Sequence, residues 1–211
     1  MRLFAAVRPP EEVLDHLDLA LGAVRGTLPG AADGPVRWSA RETWHVTLAF
    51  YGEVPEGALP ALDDALAGAA AQTPPYRLHL RGAGAFAHRT LWVGVAGDLA
   101  PHRTLGAASV AVGALVVRGA RADGEAALDT RSRPHLTVGR AARPARPVRP
   151  EGRRGRSADR DGPGLSALVH ALAVYEGPSW TVEQLLLVQS QPGAGRGGGP
   201  LYTRRAGHQL G

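Results

Sequence analysis

Trp44-His45-Val46-Thr47-Leu48 and Pro134-His135-Leu136-Thr137-Val138 are two copies of one pattern, His-apolar-Thr-apolar. The alternation predicts a half-buried β-strand at each place. Strand side chains point to opposite faces in turn, so each histidine shares a face with the threonine two residues on. Val46 and Leu48, like Leu136 and Val138, then point into a core. One such strand is an ordinary surface strand with incidental polar positions. Two copies bring together two imidazoles and two hydroxyls, a set suited to acid–base chemistry at a phosphate.

Outward from these strands, strand-like and helix-like patterns alternate. Residues 2–7 read as a strand closed by Arg8-Pro9-Pro10, with a helix starting at Pro10 or Glu11. In that helix Val13, Leu14, Leu17, Leu21 and Val24 recur at helical spacing. Val36-Arg37-Trp38 reads as a short strand, and the first motif strand runs from Trp44 to Tyr51, ended by Gly52. An Ala-rich helix is expected over 57–71, with Leu59, Leu62 and Leu66 on one face. Strands follow over 76–81 and 91–95, separated by a bend at Gly82-Ala83-Gly84. The stretch 99–117 has a helical pattern despite its glycines.

The second motif strand lies within 129–138. A short helix is expected after Pro163, a strand over 182–190, a glycine-rich turn over 193–199, and a hairpin partner over 201–206. The predicted fold is therefore α+β. It has two related lobes, each a mainly antiparallel sheet with helices on the outside, and an active-site cleft between them. A single bilobal domain is expected over 1–211, with an Arg/Pro/Gly-rich loop over 141–164 inside it.

Composition narrows the chemistry. There is no cysteine, so disulfides, thiolate metal sites and cysteine catalysis are excluded. All 24 cations are arginine. Between Arg140 and Leu165, eight arginines stand against three acids, which accounts for the whole net charge of +5. The basic character is thus local to one segment, which reads as a solvated loop rather than an RNA clamp. No apolar run approaches the ~20 residues that span a bilayer, and the opening residues are too short for a signal peptide. A monomeric cytoplasmic protein with no membrane association is the expectation. Two histidines alone make a poor Zn²⁺ site, and no carboxylate cluster accompanies them, so no metal and no cofactor are expected.

The residues resemble those of the 2H phosphoesterases, specifically the RNA 2′,3′-cyclic phosphodiesterases also called 2′-5′ RNA ligases. The resemblance runs through Arg2-Leu3-Phe4-Ala5-Ala6, then 44–52 and Leu91-Trp92-Val93-Gly94-Val95. It continues through Arg133-Pro134-His135-Leu136-Thr137-Val138-Gly139-Arg140, and ends with 182–190, the glycine-rich turn and Tyr202. Three departures are Ser132, where the family usually carries an aromatic residue, Tyr51, where leucine is frequent, and an Arg/Pro segment after Arg140 longer than the family leads one to expect.

The resemblance implies metal-independent hydrolysis of a 2′,3′-cyclic phosphate RNA end to a 2′-phosphate, with 2′-5′ ligation as the reverse. It implies His45 as general acid to the leaving oxygen and His135 as general base. Thr47 and Thr137 would donate to nonbridging oxygens. Arg140 would bind the phosphate, although strand parity aims it away from His135 unless Gly139 allows a bulge. Phe50 and Trp92 read as core rather than as platforms for bases. His16, His79, His88, His102, His170 and His208 have no paired context. Two alternatives are the same chemistry on a small nucleotide, such as a cyclic phosphate of ADP-ribose, and a non-catalytic RNA-end-binding module.

Overall fold

The computed structural model describes residues 1–26, 36–87, 89–117, 133–142 and 163–211. Its strands are β1 (Arg2–Val7), β2 (Val36–Trp38), β3 (Val46–Glu53), β4 (Tyr76–Phe86) and β5 (Thr90–Gly97), then β6 (His135–Ala141), β7 (Glu176–Val182), β8 (Gln184–Gln191) and β9 (Leu201–Gln209). Its helices are α1 (Glu11–Gly26), α2 (Leu59–Ala71), α3 (Leu99–Val116) and α4 (Pro163–Ala171). Most of the Arg/Pro/Gly-rich stretch, 143–162, lies outside the described residues, as do Ser132 and His88. At its edges Ala141 closes β6 and Pro163 opens α4.

The strands form one antiparallel sheet in the order β7-β4-β5-β6-β3-β1-β8-β9, with β2 paired to β6. Between β6 and β3 only one residue pair, Val46 with Leu136, joins the ladders. The sheet is thus two arrays, β6-β5-β4-β7 and β3-β1-β8-β9, meeting at a narrow seam made of the two motif strands. This is the antiparallel α+β architecture the pattern predicts, with one difference. The arrays are not consecutive pieces of chain, because β4 and β5 join the array of the second motif while β8 and β9 join that of the first.

The helices cover one face. On α1, Val13, Leu14, Leu17 and Leu21 are buried, and burying each such side chain stabilises by roughly 1.5–3 kcal/mol. On α3 the buried face is His102, Leu105, Ser109 and Gly113. Gly113 is the contact itself rather than a weakness in the helix. A Cβ there would come 2.7 Å from the Tyr51 ring, and the Tyr51 hydroxyl donates to the Ser109 carbonyl at 3.2 Å. Tyr51 is therefore core beneath a helix and does not face the opposite side of the sheet.

Two elements differ from their sequence reading. β4 runs on through Gly82-Ala83-Gly84 to Phe86, taking up Gly82 in a bulge between Leu80 and Ala83 while Gly84 pairs with Trp92. β7, over a stretch the sequence reading leaves unassigned, contains Gly177 and Pro178. It is an edge strand, where a proline's missing N–H costs no ladder bond, and its pairing skips Pro178 at an irregularity between His79 and Arg81.

Three of the six histidines without a paired context tie elements together. His102 Nδ1 lies 2.9 Å from the Tyr76 hydroxyl, His16 Nδ1 lies 3.1 Å from that of Tyr175, and His208 Nε2 lies 2.9 Å from Asp63 Oδ1.

Candidate active site

The pairing of Val46 with Leu136 fixes the geometry at the seam. Both side chains are fully buried in the helix-side core. The residues on either side of them, His45 and Thr47 on one strand and His135 and Thr137 on the other, therefore face the opposite, helix-free side. In an antiparallel pair, Thr47 then flanks His135 and Thr137 flanks His45. All four are half-buried.

Each imidazole is held in the same way. His45 Nδ1–H donates to the Thr43 carbonyl at 2.7 Å, and His135 Nδ1–H donates to the Arg133 carbonyl at 3.1 Å. A backbone carbonyl can only accept, so Nδ1 keeps its proton and Nε2 is left as the titrating nitrogen of both rings. His45 Nε2 lies 3.1 Å from Thr47 Oγ1. The turn that supplies the Thr43 carbonyl, Arg41–Thr43, is anchored to α1 by Arg41, at 2.7 Å from Glu11 and 2.6 Å from Asp15. Buried Trp44 fixes its other end, donating Nε1–H to the Ser39 carbonyl at 3.2 Å.

Aromatic rings enclose both histidines. The His45 ring lies 4.7 Å from Phe4 and 5.2 Å from Tyr202, edge-on to the latter. Phe4, Ala6 and Val188, with Leu186 and Tyr202, form a small apolar cluster on this face, apart from the main core. The His135 ring lies 4.7 Å from Phe86, edge-on, and 6.0 Å from Trp92. Trp92 lies over Gly84, where a Cβ would overlap the indole, so only glycine admits the ring in this position.

Phe50 is not core, as its sequence context suggested. It is 54% exposed and packs on Phe4 at 5.7 Å. The irregular pairing of β1 with β3 around Leu48 rotates Phe50 onto the histidine side, opposite Phe4.

These surroundings set the charge. Burial pushes the His45 imidazole down to about 4, against which the Thr43 bond pulls upward, while the nearby His135 pushes it further down. Burial also lowers His135, opposed by its bond to the Arg133 carbonyl. Both rings are thus neutral at neutral pH in the free protein, and His45 is lowered by its partner ring as well as by burial.

Arg140 reaches the histidine side through a bulge. Leu91 pairs with Gly139 but Trp92 pairs with Thr137, so Val138 is an extra residue and the parity of β6 reverses beyond it. Arg140 pairs with Thr90, two residues from Trp92 and on the same face. Its charge, with that of Arg2, partly offsets the burial that raises the Tyr202 hydroxyl. Arg37, the partner of Arg140 on β2, donates to the Gly197 carbonyl at 3.1 Å and links this edge to the glycine-rich turn.

All five residues singled out by sequence, His45, Thr47, His135, Thr137 and Arg140, therefore share one side of the sheet. Sequence reading missed Phe4, Phe86 and Arg37 there. No local signal marks them, because their proximity to the histidines is made by strand pairing. Among the described residues no group of three or more His, Cys, Asp or Glu could hold a metal ion. No helix among them is long and apolar enough to cross a membrane.

Comparison with known proteins agrees with this architecture. Residues 7–92 match the family described as LigT-like phosphoesterase. Over 212 aligned residues, 96% of this chain and 95% of the relative, the chain is 29% identical to an RNA 2′,3′-cyclic phosphodiesterase of Methanothermobacter thermautotrophicus. A 62-residue stretch is 44% identical to the protein of that name from Geobacillus stearothermophilus, covering 28% of this chain and only 20% of that protein. The crystal structure of TT0787 of Thermus thermophilus superposes with a TM-score of 0.67 at 26% identity, over 100% of this chain and 98% of that one.

Proposed function

We propose that this chain is a LigT-like 2H phosphoesterase that opens the 2′,3′-cyclic phosphate at an RNA end by paired histidine acid–base catalysis. The reading rests above all on the single pairing of Val46 with Leu136, which supports a site flanked by two imidazoles and two hydroxyls on one side of the sheet. The carbonyl-bound Nδ1 of each ring supports it further, since both Nε2 atoms are left for proton transfer.

In the forward step water attacks phosphorus while neutral His135 takes its proton at Nε2. The P–O3′ bond breaks, and His45 delivers the Nε2 proton to O3′, leaving a 2′-phosphate and a 3′-hydroxyl. Thr47 and Thr137 donate to the nonbridging oxygens as charge builds on them. Arg140 holds the same oxygens as a charge-assisted donor. His45 is neutral in the free protein, so it takes up a proton from solvent as the anionic substrate binds. The phosphodiester anion offsets the burial and the His–His repulsion that keep the ring uncharged. With a 5′-hydroxyl in place of water, the same steps join the ends through a 2′-5′ linkage.

The test is turnover of a cyclic-phosphate-ended RNA by purified protein in EDTA, with the product identified by ³¹P NMR. A 2′-phosphate product, formed undiminished in chelator, is expected. A 3′-phosphate, or activity lost in EDTA and restored by a divalent ion, would overturn the mechanism.

A further inference from the structure

Beside His135 the sheet opens into a cavity of about 330 Å³ that includes three arginines, Arg81, Arg103 and Arg133. They come from three separate places: Arg81 from β4, Arg103 from α3, and Arg133 from the residues entering β6. The remaining wall includes Trp92, Gly94 and Pro134. Gly94 is the pairing partner of His135 on β5, and Pro134 is its chain neighbour, so the cavity begins one strand spacing, ~4.8 Å, from the histidine. Arg8, Arg25 and Arg41 each pair with a carboxylate, whereas Arg81, Arg103 and Arg133 form no ion pair among the described residues. Three like charges around one cavity repel, and an anion placed among them is attracted by all three. The volume is at the lower end for ligand pockets, enough for a phosphate and part of a sugar.

This cluster is separate from Arg140, which lies past the β6 bulge beside Tyr202. A cyclic phosphate at an RNA 3′ end has a neighbouring phosphate on one side only, the 5′ side of its own nucleotide. Resting on the proposed reaction at His45 and His135, we infer that Arg81, Arg103 and Arg133 form a second phosphate subsite that takes this 5′-side phosphate. The site then reads an RNA end as two phosphates one nucleotide apart, and a bare nucleoside cyclic phosphate fills only half of it.

Three substrates test this: a nucleoside 2′,3′-cyclic phosphate, the same compound carrying a 5′-phosphate, and a dinucleotide ending in the cyclic phosphate. The wild type should gain at least about tenfold in kcat/KM on adding the 5′-side phosphate, equally as monoester or diester, since a charge-assisted hydrogen bond is worth ~1.5–3 kcal/mol. The Arg81→Gln/Arg103→Gln double variant should lose that gain while retaining wild-type turnover of the bare cyclic nucleotide, which also shows that it is folded. Its log–log salt slope on the dinucleotide should flatten by up to ~0.7, the value for one phosphate no longer neutralised on a single strand. A gain seen only with the dinucleotide would assign the contact to the second nucleoside and overturn the inference. So would equal loss on all three substrates, or an unchanged preference in the variant. If the wild type turned over none of them, the reading of the histidine pair would fail, and the subsite with it.

Discussion

His45 and His135 occupy matching positions on two strands of the same pattern, and each donates Nδ1–H to the carbonyl two residues before it. Their surroundings differ. His45 is set between Phe4 and Tyr202, with the shorter carbonyl bond, 2.7 Å against 3.1 Å, and burial pushes it down to about 4. His135 lies against Phe86, which is 40% exposed, and is lowered by burial alone among the opposing influences. The motif supplies two identical groups, and the strands packed beside them make those groups unequal. An acid and a base need that inequality, because one ring must hold a proton while the other accepts one.

The strongest way to break the comparison is to remove each ring. His45→Ala and His135→Ala should each lower kcat by about 10²–10⁴-fold, the usual worth of a positioned acid or base. The double variant should be little worse than either single, since both rings serve one transition state. Affinity for a 2′-phosphate mononucleotide, measured by calorimetry, should fall far less, because Thr47, Thr137 and Arg140 still hold the phosphate. Unchanged turnover with collapsed affinity would make the imidazoles ligands and restore the binding-module reading.

A pH profile sharpens the comparison with a smaller effect. In the free protein both rings titrate below the ordinary imidazole value of 6.5, His45 at about 4. The singly protonated pair that the proposed mechanism needs is therefore most abundant on the acid side of neutrality, and kcat/KM should trace a bell centred there. A bound phosphodiester anion favours the protonated rings and raises both values, so the bell for kcat should lie at higher pH. Coincident bells would show that substrate charge does not set the protonation of the pair.

The smallest expected change separates the two enclosures. Tyr202→Ala admits water beside His45 and should raise its titration midpoint, by less than about one pH unit, with His135 unmoved. Phe86→Ala should do the converse. NMR titration of the two imidazoles reads both, and equal movement of the two rings in either variant would mean that one shared field, not two separate enclosures, sets them.

Much of this molecule is legible along the chain. The period-2 alternation at 45–48 and 135–138, the helical stripe of Val13, Leu14, Leu17 and Leu21, and the helix before Val117 all appear where the pattern puts them. Each is a property of one segment, set by which faces it can bury, and so is written in neighbouring residues. The sequence by itself also singled out the candidates for proton transfer, since only imidazoles with matched hydroxyls repeat.

Tertiary structure decided what those residues do together. Register cannot be read from one strand, and it is the pairing of Val46 with Leu136 that turns two separate motifs into one site. The extra residue at Val138 brings Arg140 round to the histidine side, and an edge position lets Pro178 belong to β7. Phe4 and Tyr202, 198 residues apart in the chain, close on His45 only because β8 pairs with both β1 and β9. Local patterning fixes which face a side chain takes, and only long-range pairing fixes what stands across from it, which is why the composition of the site was legible and its asymmetry was not.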